Sequence, residues 1–171
     1  MFISIKSIIF FCLSFLKIGF YPSLDEIGME EVELVCPSGT KQVSSYEDHS
    51  FLELRCERED GVWNGKRKLF YLSGKLYTDS EFCNGKLCGK WITYYESGTM
   101  KSLGTYKKGK PNGVWSNYYE NGNEFSKGKF KNGCKTKIWF FYYQNGNKHV
   151  KVLANVDNCT TKVLETYKKK E

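Results

Sequence analysis

The sequence predicts an all-β fold: a single antiparallel meander of β-hairpins, two strands per 24-residue repeat, with a small disulfide-closed cap at its N-terminal side. Three observations predict it. The 171 residues include 12 Tyr, 12 Phe and 4 Trp beside 16 Gly and only 3 Pro, and aromatics favour strands while glycines favour tight turns. One pattern of aromatics and glycines returns every 24 residues without a gap. Two turn signals fall in each repeat, leaving strands of about six to eight residues.

Residues 1–20 read as an export signal. Lys6 closes a short basic stretch, and an apolar run from Ser7 to Leu16 stops at Lys17. That run is about half the roughly 20 residues a spanning helix needs. A lipid anchor on Cys12 is an alternative, although Phe11 is bulky for the residue before such a site, and an uncleaved membrane anchor is another. Residues 21–64 form an acidic segment. Residues 21–60 hold 11 acidic and three basic side chains, whereas residues 61–171 hold 21 basic and eight acidic ones. Leu52–Cys56 alternates like a strand, and the segment is expected to cap an open sheet edge.

Four repeats follow, over 65–88, 89–112, 113–136 and 137–160, and residues 161–171 read as a basic tail. Position 3 of the units holds Arg67, Trp91, Trp115 and Trp139; positions 6 and 7 hold Phe70-Tyr71, Tyr94-Tyr95, Tyr118-Tyr119 and Tyr142-Tyr143. Ser97-Gly98, Asn121-Gly122 and Asn145-Gly146 mark the first turns; Asn84-Gly85, Lys108-Gly109 and Asn132-Gly133 mark the second. Asn-Gly between aromatic runs signals a hairpin in which both central residues take φ > 0.

Register follows from these turns. Trp91 should face Gly104 and Trp115 should face Gly128, with the bare glycine giving each indole room; Gly104 should meet Gly113 on the other side. One face then carries Trp91, Tyr95, Tyr106, Trp115, Tyr119, Phe130, Trp139 and Tyr143, an aromatic core stripe. The opposite face should carry a ladder of Phe70 with Tyr77, Tyr94 with Lys101, Tyr118 with Phe125, and Tyr142 with His149.

The cysteines support export. Beyond Cys12 there are six, Cys36, Cys56, Cys83, Cys88, Cys134 and Cys159, with no C-x-x-C pair to suggest zinc. Disulfides are the expected state of such a set in an exported chain. Of the connectivities open to six cysteines, Cys36–Cys56 and Cys83–Cys88 are favoured by proximity and Cys134–Cys159 by elimination, the last if residues 155–160 fold back over Cys134.

The pattern Gly89-Lys90-Trp91 with Tyr94-Tyr95 and Gly98, repeated as Gly113-Val114-Trp115 with Tyr118-Tyr119 and Asn121-Gly122, resembles the bacterial MORN-repeat variant family. That family is often labelled the antitoxin component of a toxin–antitoxin system. The resemblance covers residues 65–155. It implies the hairpin meander and an interaction scaffold, for protein partners or acidic phospholipids, and through the label it implies neutralisation of a toxin. The leader, the extra cysteines and Arg67 in place of a Trp depart from the family pattern.

Two surfaces are candidates for binding. Lysines crowd the second turns, with Lys107, Lys108, Lys110, Lys129 and Lys131 the central members, and a basic stripe of this kind suits an anionic polymer, lipid head group or acidic protein. Equally, lysines there would guard a solvated edge. Tyr94, Tyr118 and Tyr142 form the second candidate, an aromatic ladder that also has a purely structural reading. The chain has two histidines, no G-x-S-x-G, no H-E-x-x-H and no phosphate-binding glycine loop. It is therefore expected to be a non-enzymatic binding module without cofactor or metal, working at the cell envelope with a protein partner or an anionic lipid or polysaccharide surface. Nucleic acid is not expected as its partner, and the oligomeric state is left open. The alternative reading is an antitoxin-like neutraliser.

Overall fold

Strands form where aromatic and β-branched residues alternate, and turns form where Gly, Asn and Lys interrupt them. A computed structural model describes residues 32–47, 50–154 and 159–167, and the proposed leader at 1–20 lies outside them. Among the described residues eleven strands lie in chain order in one sheet, each antiparallel to the next. They are β1 (Thr40–Glu47), β2 (Phe51–Arg58), β3 (Trp63–Tyr71), β4 (Leu76–Cys83), β5 (Lys86–Tyr94), β6 (Met100–Lys107), β7 (Lys110–Tyr118), β8 (Glu124–Lys131), β9 (Cys134–Tyr142), β10 (Lys148–Ala154) and β11 (Thr161–Thr166). The all-β meander expected from the repeats is therefore the observed architecture. Among the described residues no helix is long and apolar enough to cross a membrane.

The two turns of each unit differ, and the sequence reading merged them. The second turns are tight two-residue loops with both central residues at φ > 0: Asn84 at 48° with Gly85 at 74°, Lys108 at 52° with Gly109 at 78°, and Asn132 at 51° with Gly133 at 91°. The first turns are longer. Gly98 N–H donates to Tyr95 O at 2.9 Å, and Tyr95 N–H donates to Thr99 O at 2.8 Å, closing residues 95–99. There only the glycine is left-handed, so these loops are type I turns completed by a glycine.

The longer first turns shift the ladder beside them. Trp91 does pair with Gly104, and Trp115 with Gly128. Nearer the turn, however, Tyr94 pairs with Met100, Tyr118 with Glu124 and Tyr142 with Lys148. The partners expected at position 13 thus fall at a bulge, where side-chain alternation breaks.

A second irregularity sits at position 1. Gly65, Gly89, Gly113 and also Lys137 have φ between 57° and 115°, so position 1 is left-handed in every unit. Between β6 and β7, Thr105 pairs with Asn112 and Leu103 pairs with Ser116, which leaves Gly104 opposite the three residues 113–115. Gly104 therefore does not form the simple pair with Gly113 that an unbroken register requires.

That bulge relocates the indoles. A methyl group added at Gly104 would fall inside the ring of Trp115, and one at Gly128 inside the ring of Trp139. Each indole thus covers the glycine of the preceding unit, not the one it pairs with. Trp115 Nε1 donates to Thr105 O at 3.2 Å and Trp139 Nε1 to Lys129 O at 3.1 Å, fixing both rings across the strand boundary. Trp139 is 2 % exposed. Trp115 packs edge-on against Tyr106 and Phe130, and Phe130 against Trp139. Trp91 lies 5.2 Å from Trp115, centroid to centroid, so all three share one face.

The described part of the acidic segment, from residue 32, joins the sheet instead of merely covering its edge; residues 21–31 lie outside the described residues. β1 and β2 extend the ladder beyond β3, so β1 becomes the terminal strand. Alternation along β2 sends Leu52, Leu54 and Cys56 to one face, where Leu34 and Phe70 complete a buried cluster. The Leu34 N–H donates to Gln42 Oε1 at 2.6 Å, and Gln42 Nε2 donates to Val32 O at 3.1 Å, which holds the covering segment down. The stretch read as a basic tail is likewise strand β11 over Thr161–Thr166, paired with β10; residues 168–171 lie outside the described residues.

Candidate functional site

A lysine in a tight hairpin turn cannot bury its ammonium, and a stack of such turns lines the cations along one edge. The meander supplies the stack. Gly109 N–H donates to Leu87 O at 2.8 Å and Gly133 N–H to Pro111 O at 2.9 Å, tying each second turn to the strand start two strands earlier. Gly85 N–H reaches Trp63 O at 2.8 Å in the same way. Lys86, Lys107, Lys108, Lys110 and Lys131 are all exposed along this edge, with Lys129 two residue pairs inward. Ion pairs involving lysine among the described residues are Lys66–Glu81, Lys127–Glu124 and Lys151–Glu165, so the edge lysines meet no carboxylate. Lys135 sits apart from them, its ammonium 4.6 Å from the centre of Trp139.

The tyrosines take two different roles. At position 7 each hydroxyl donates across the unit boundary: Tyr71 to Tyr94 O at 3.0 Å, Tyr95 to Tyr118 O at 2.8 Å, Tyr119 to Tyr142 O at 2.9 Å and Tyr143 to Tyr167 O at 3.2 Å. These bonds bind consecutive units at a fixed spacing. Burial, with Glu120 and Tyr119 nearby, pushes the Tyr95 hydroxyl above its ordinary range, so it stays a donor. Tyr94, Tyr118 and Tyr142 are half-buried and offer their carbonyls to this chain of bonds.

The ladder expected between positions 6 and 13 is replaced by one between positions 7 and 13. Tyr71 meets Tyr77 at 5.1 Å, Tyr119 meets Phe125 at 5.2 Å, and Tyr143 stacks on His149 at 4.2 Å between ring centres. The Lys101 ammonium sits 5.3 Å from the Tyr95 ring centre. The bulge beside each first turn delivers the position-13 side chain to its new partner. No periodic rule in the aromatics reveals this; the signal was the Gly that follows two residues able to adopt a type I turn.

The first unit replaces the indole with charge. Arg67 pairs with Glu53 and Glu47, and Arg55 with Glu53 and Glu57. The Arg67 and Arg55 guanidinium carbons lie 5.2 Å and 5.0 Å from the Trp63 ring centre. Glu53 is buried, which would raise its pKa, yet hydrogen bonds and charge from Arg67, Ser45 and Arg55 hold it below the ordinary carboxylate value. The Arg67 substitution is thus matched by Glu53 from β2, and no sequence signal in the repeat itself announces that partner.

Three disulfides join Cys36 to Cys56, Cys83 to Cys88 and Cys134 to Cys159, with Cα separations of 5.5, 5.8 and 5.0 Å. No group of side chains suited to hold a metal ion occurs among the described residues.

No curated protein matches the sequence. Among solved structures, the Glycosylation Associate Protein (Gap123) complex from Streptococcus agalactiae has a similar chain, at 16 % identity and a TM-score of 0.36, covering 64 % of this chain and 20 % of that one. A GtfA/B complex bound to UDP and GlcNAc is similar at 11 % identity and a TM-score of 0.28, covering 80 % of this chain and 25 % of that one. The chain thus spans a quarter or less of either structure's chain. The MORN repeat variant matches residues 63–84, 87–108 and 111–132, each match opening two residues before the unit boundaries used above. Three segments that match the MORN repeat variant therefore run in succession through the centre of this sheet.

Proposed function

We propose that this protein is an exported, non-enzymatic repeat scaffold whose lysine edge holds an anionic partner surface at the cell envelope. One observation carries the reading. Lys86, Lys107, Lys108, Lys110 and Lys131 stand exposed along one sheet edge and meet no carboxylate among the described residues. Cations that serve only a solvated surface readily collect acidic neighbours, and this sequence has them to spend: the first turns of the opposite edge carry Glu96 and Glu120. Glu59 and Asp60 stand on the lysine edge at the β2–β3 turn, so the positive field lies along the turns from β4 to β9, where it would steer an acidic partner. MORN repeats commonly serve protein and membrane-surface binding, in line with this reading. The three disulfides support work outside the reducing cytoplasm.

The test is a capture experiment from the organism's own envelope fraction with the mature protein as bait. A K107E/K108E/K131E bait runs in parallel. Partners that bind the first bait, elute with added salt and are absent from the second support the reading. Partners retained equally by both baits contradict it and move the binding surface to the aromatic ladders.

A further inference from the structure

Two disulfides lie beside second turns: Cys134, in register with Lys131, bonds to the exposed Cys159, while Cys83–Cys88 encloses its turn and borders a groove. Cys83 and Cys88 flank the Asn84-Gly85 turn, in register with Lys86 and Glu81 respectively, and lie only 5 residues apart in sequence. Cys83 is exposed and Cys88 half-buried. Together they border an open groove of about 650 Å³, lined also by Lys86, Tyr106, Lys107 and Lys108. Arg58 Nη1 also donates to Asn84 Oδ1 at 3.2 Å, but its charge is met by Asp60 at 2.9 Å, so the groove's cations are the lysines. Glu81 points the other way in charge, but Lys66 approaches it at 3.7 Å.

Three physical consequences follow. Thiol–disulfide exchange needs access to a sulfur, and Cys83 is the exposed residue of the pair. Nearby cations favour the thiolate that must leave when the bond is cut. The turn does not depend on the bond: Gly85 N–H donates to Trp63 O at 2.8 Å and Asn84 N–H to Asn64 Oδ1 at 3.1 Å. By contrast, Cys56 is 1 % exposed inside the cluster of Leu34, Leu52 and Leu54, so its bond with Cys36 is shielded.

We propose that Cys83–Cys88 is a thiol-exchange site that accepts a small anionic thiol in the lysine-lined groove, with Cys83 as the modified residue. The incoming thiolate attacks Cys83 Sγ, forming a mixed disulfide. The Cys83–Cys88 bond breaks, and Cys88 leaves as a thiolate that then takes a proton from water. A second molecule of the same thiol attacks the mixed disulfide, leaves as half of the oxidised small disulfide, and returns Cys83 as a thiol. Overall the protein disulfide gains two electrons and two thiols are oxidised. The inference is independent of the proposed partner binding.

The experiment uses the full oxidised protein with reduced glutathione as the anionic probe and cysteamine as the cationic one. Aliquots are alkylated over time and mapped by peptide mass spectrometry. The expected result is opening of Cys83–Cys88 at least about tenfold faster than Cys36–Cys56, with the mixed disulfide on Cys83. Glutathione should outpace cysteamine at equal thiolate concentration by about tenfold at low salt, within the range by which focused surface charge raises the local concentration of an anion. In K107E/K108E that preference should reverse, while circular dichroism stays unchanged. Opening no faster than Cys36–Cys56, a mixed disulfide confined to Cys88, or equal rates for the two probes would each overturn the proposal.

Discussion

Replacing Gly128 by alanine tests the offset packing of the tryptophans. Gly128 lies in mid-strand and is not left-handed, so local propensity alone makes Gly128→Ala stabilising by roughly 0.5–1 kcal/mol. The structure reverses that sign, because the new methyl group would fall inside the Trp139 indole. The ring cannot simply slide. It is 2 % exposed, packed against Phe130, and hydrogen-bonded through Nε1 to Lys129 O at 3.1 Å. Overpacking costs about 1–3 kcal/mol, and the broken hydrogen bond about 1 kcal/mol more. Set against the propensity gain, the expected net loss is about 1–3.5 kcal/mol, read from the urea midpoint by tryptophan fluorescence. A double-mutant cycle isolates the cause: in a Trp139→Ala background, Gly128→Ala should be neutral or stabilising. A stable G128A protein, or the same loss in both backgrounds, would refute the packing argument.

Other outcomes follow from single contacts. Tyr119→Phe removes the 2.9 Å bond to Tyr142 O and should cost about 0.5–1.5 kcal/mol, seen as a lower melting temperature. Glu53 has a folded pKa held below its ordinary value of 4.5, so the stability it contributes is present above pH 4.5 and is lost as pH falls through the folded value. Glu53→Gln should therefore destabilise the protein at pH 7, by less than the roughly 3–5 kcal/mol of an unpaired buried charge because Arg67 keeps Glu47 and Arg55 keeps Glu57, and should flatten the loss of stability in acid titrations followed by circular dichroism. Replacing Cys36 and Cys56 together by alanine should cost about 3 kcal/mol in urea denaturation, as expected for a loop of that length.

The period of the repeat made the meander legible, because period and turn chemistry are local. The second turns were read correctly down to their backbone, since Asn-Gly and Lys-Gly admit little else between two short strands. The first turns were not. Ser97-Gly98, Asn121-Gly122 and Asn145-Gly146 resemble the tight type, but Gly98 N–H bonds back to Tyr95 O and lengthens the loop. One extra residue there moved Phe125 and Tyr77 from the expected partners to Tyr119 and Tyr71. The position-1 glycines carried a second concealed signal. The register expects ordinary ladder residues there, whereas position 1 is left-handed in every unit, Lys137 included, and Trp115 and Trp139 lie over Gly104 and Gly128 of the preceding units.

The candidate site was legible for a simpler reason. Turn lysines in a meander must share an edge, whatever the bulges do between them. The ion-pair cluster around Arg67 was invisible because its partner Glu53 lies outside the repeat, on a strand the repeat does not predict. Position 13 was misassigned for the same reason as the ladder itself, and His149 stacks on Tyr143 instead of pairing with Tyr142.

Amide chemical-shift mapping with a soluble acidic polymer, polyglutamate, tests the binding edge most directly. The account predicts shifts concentrated at residues 84–87, 107–110 and 131–134, fading as salt screens charges beyond about 8–10 Å. Shifts centred instead on Tyr94, Tyr118 and Tyr142 and unaffected by salt would contradict it.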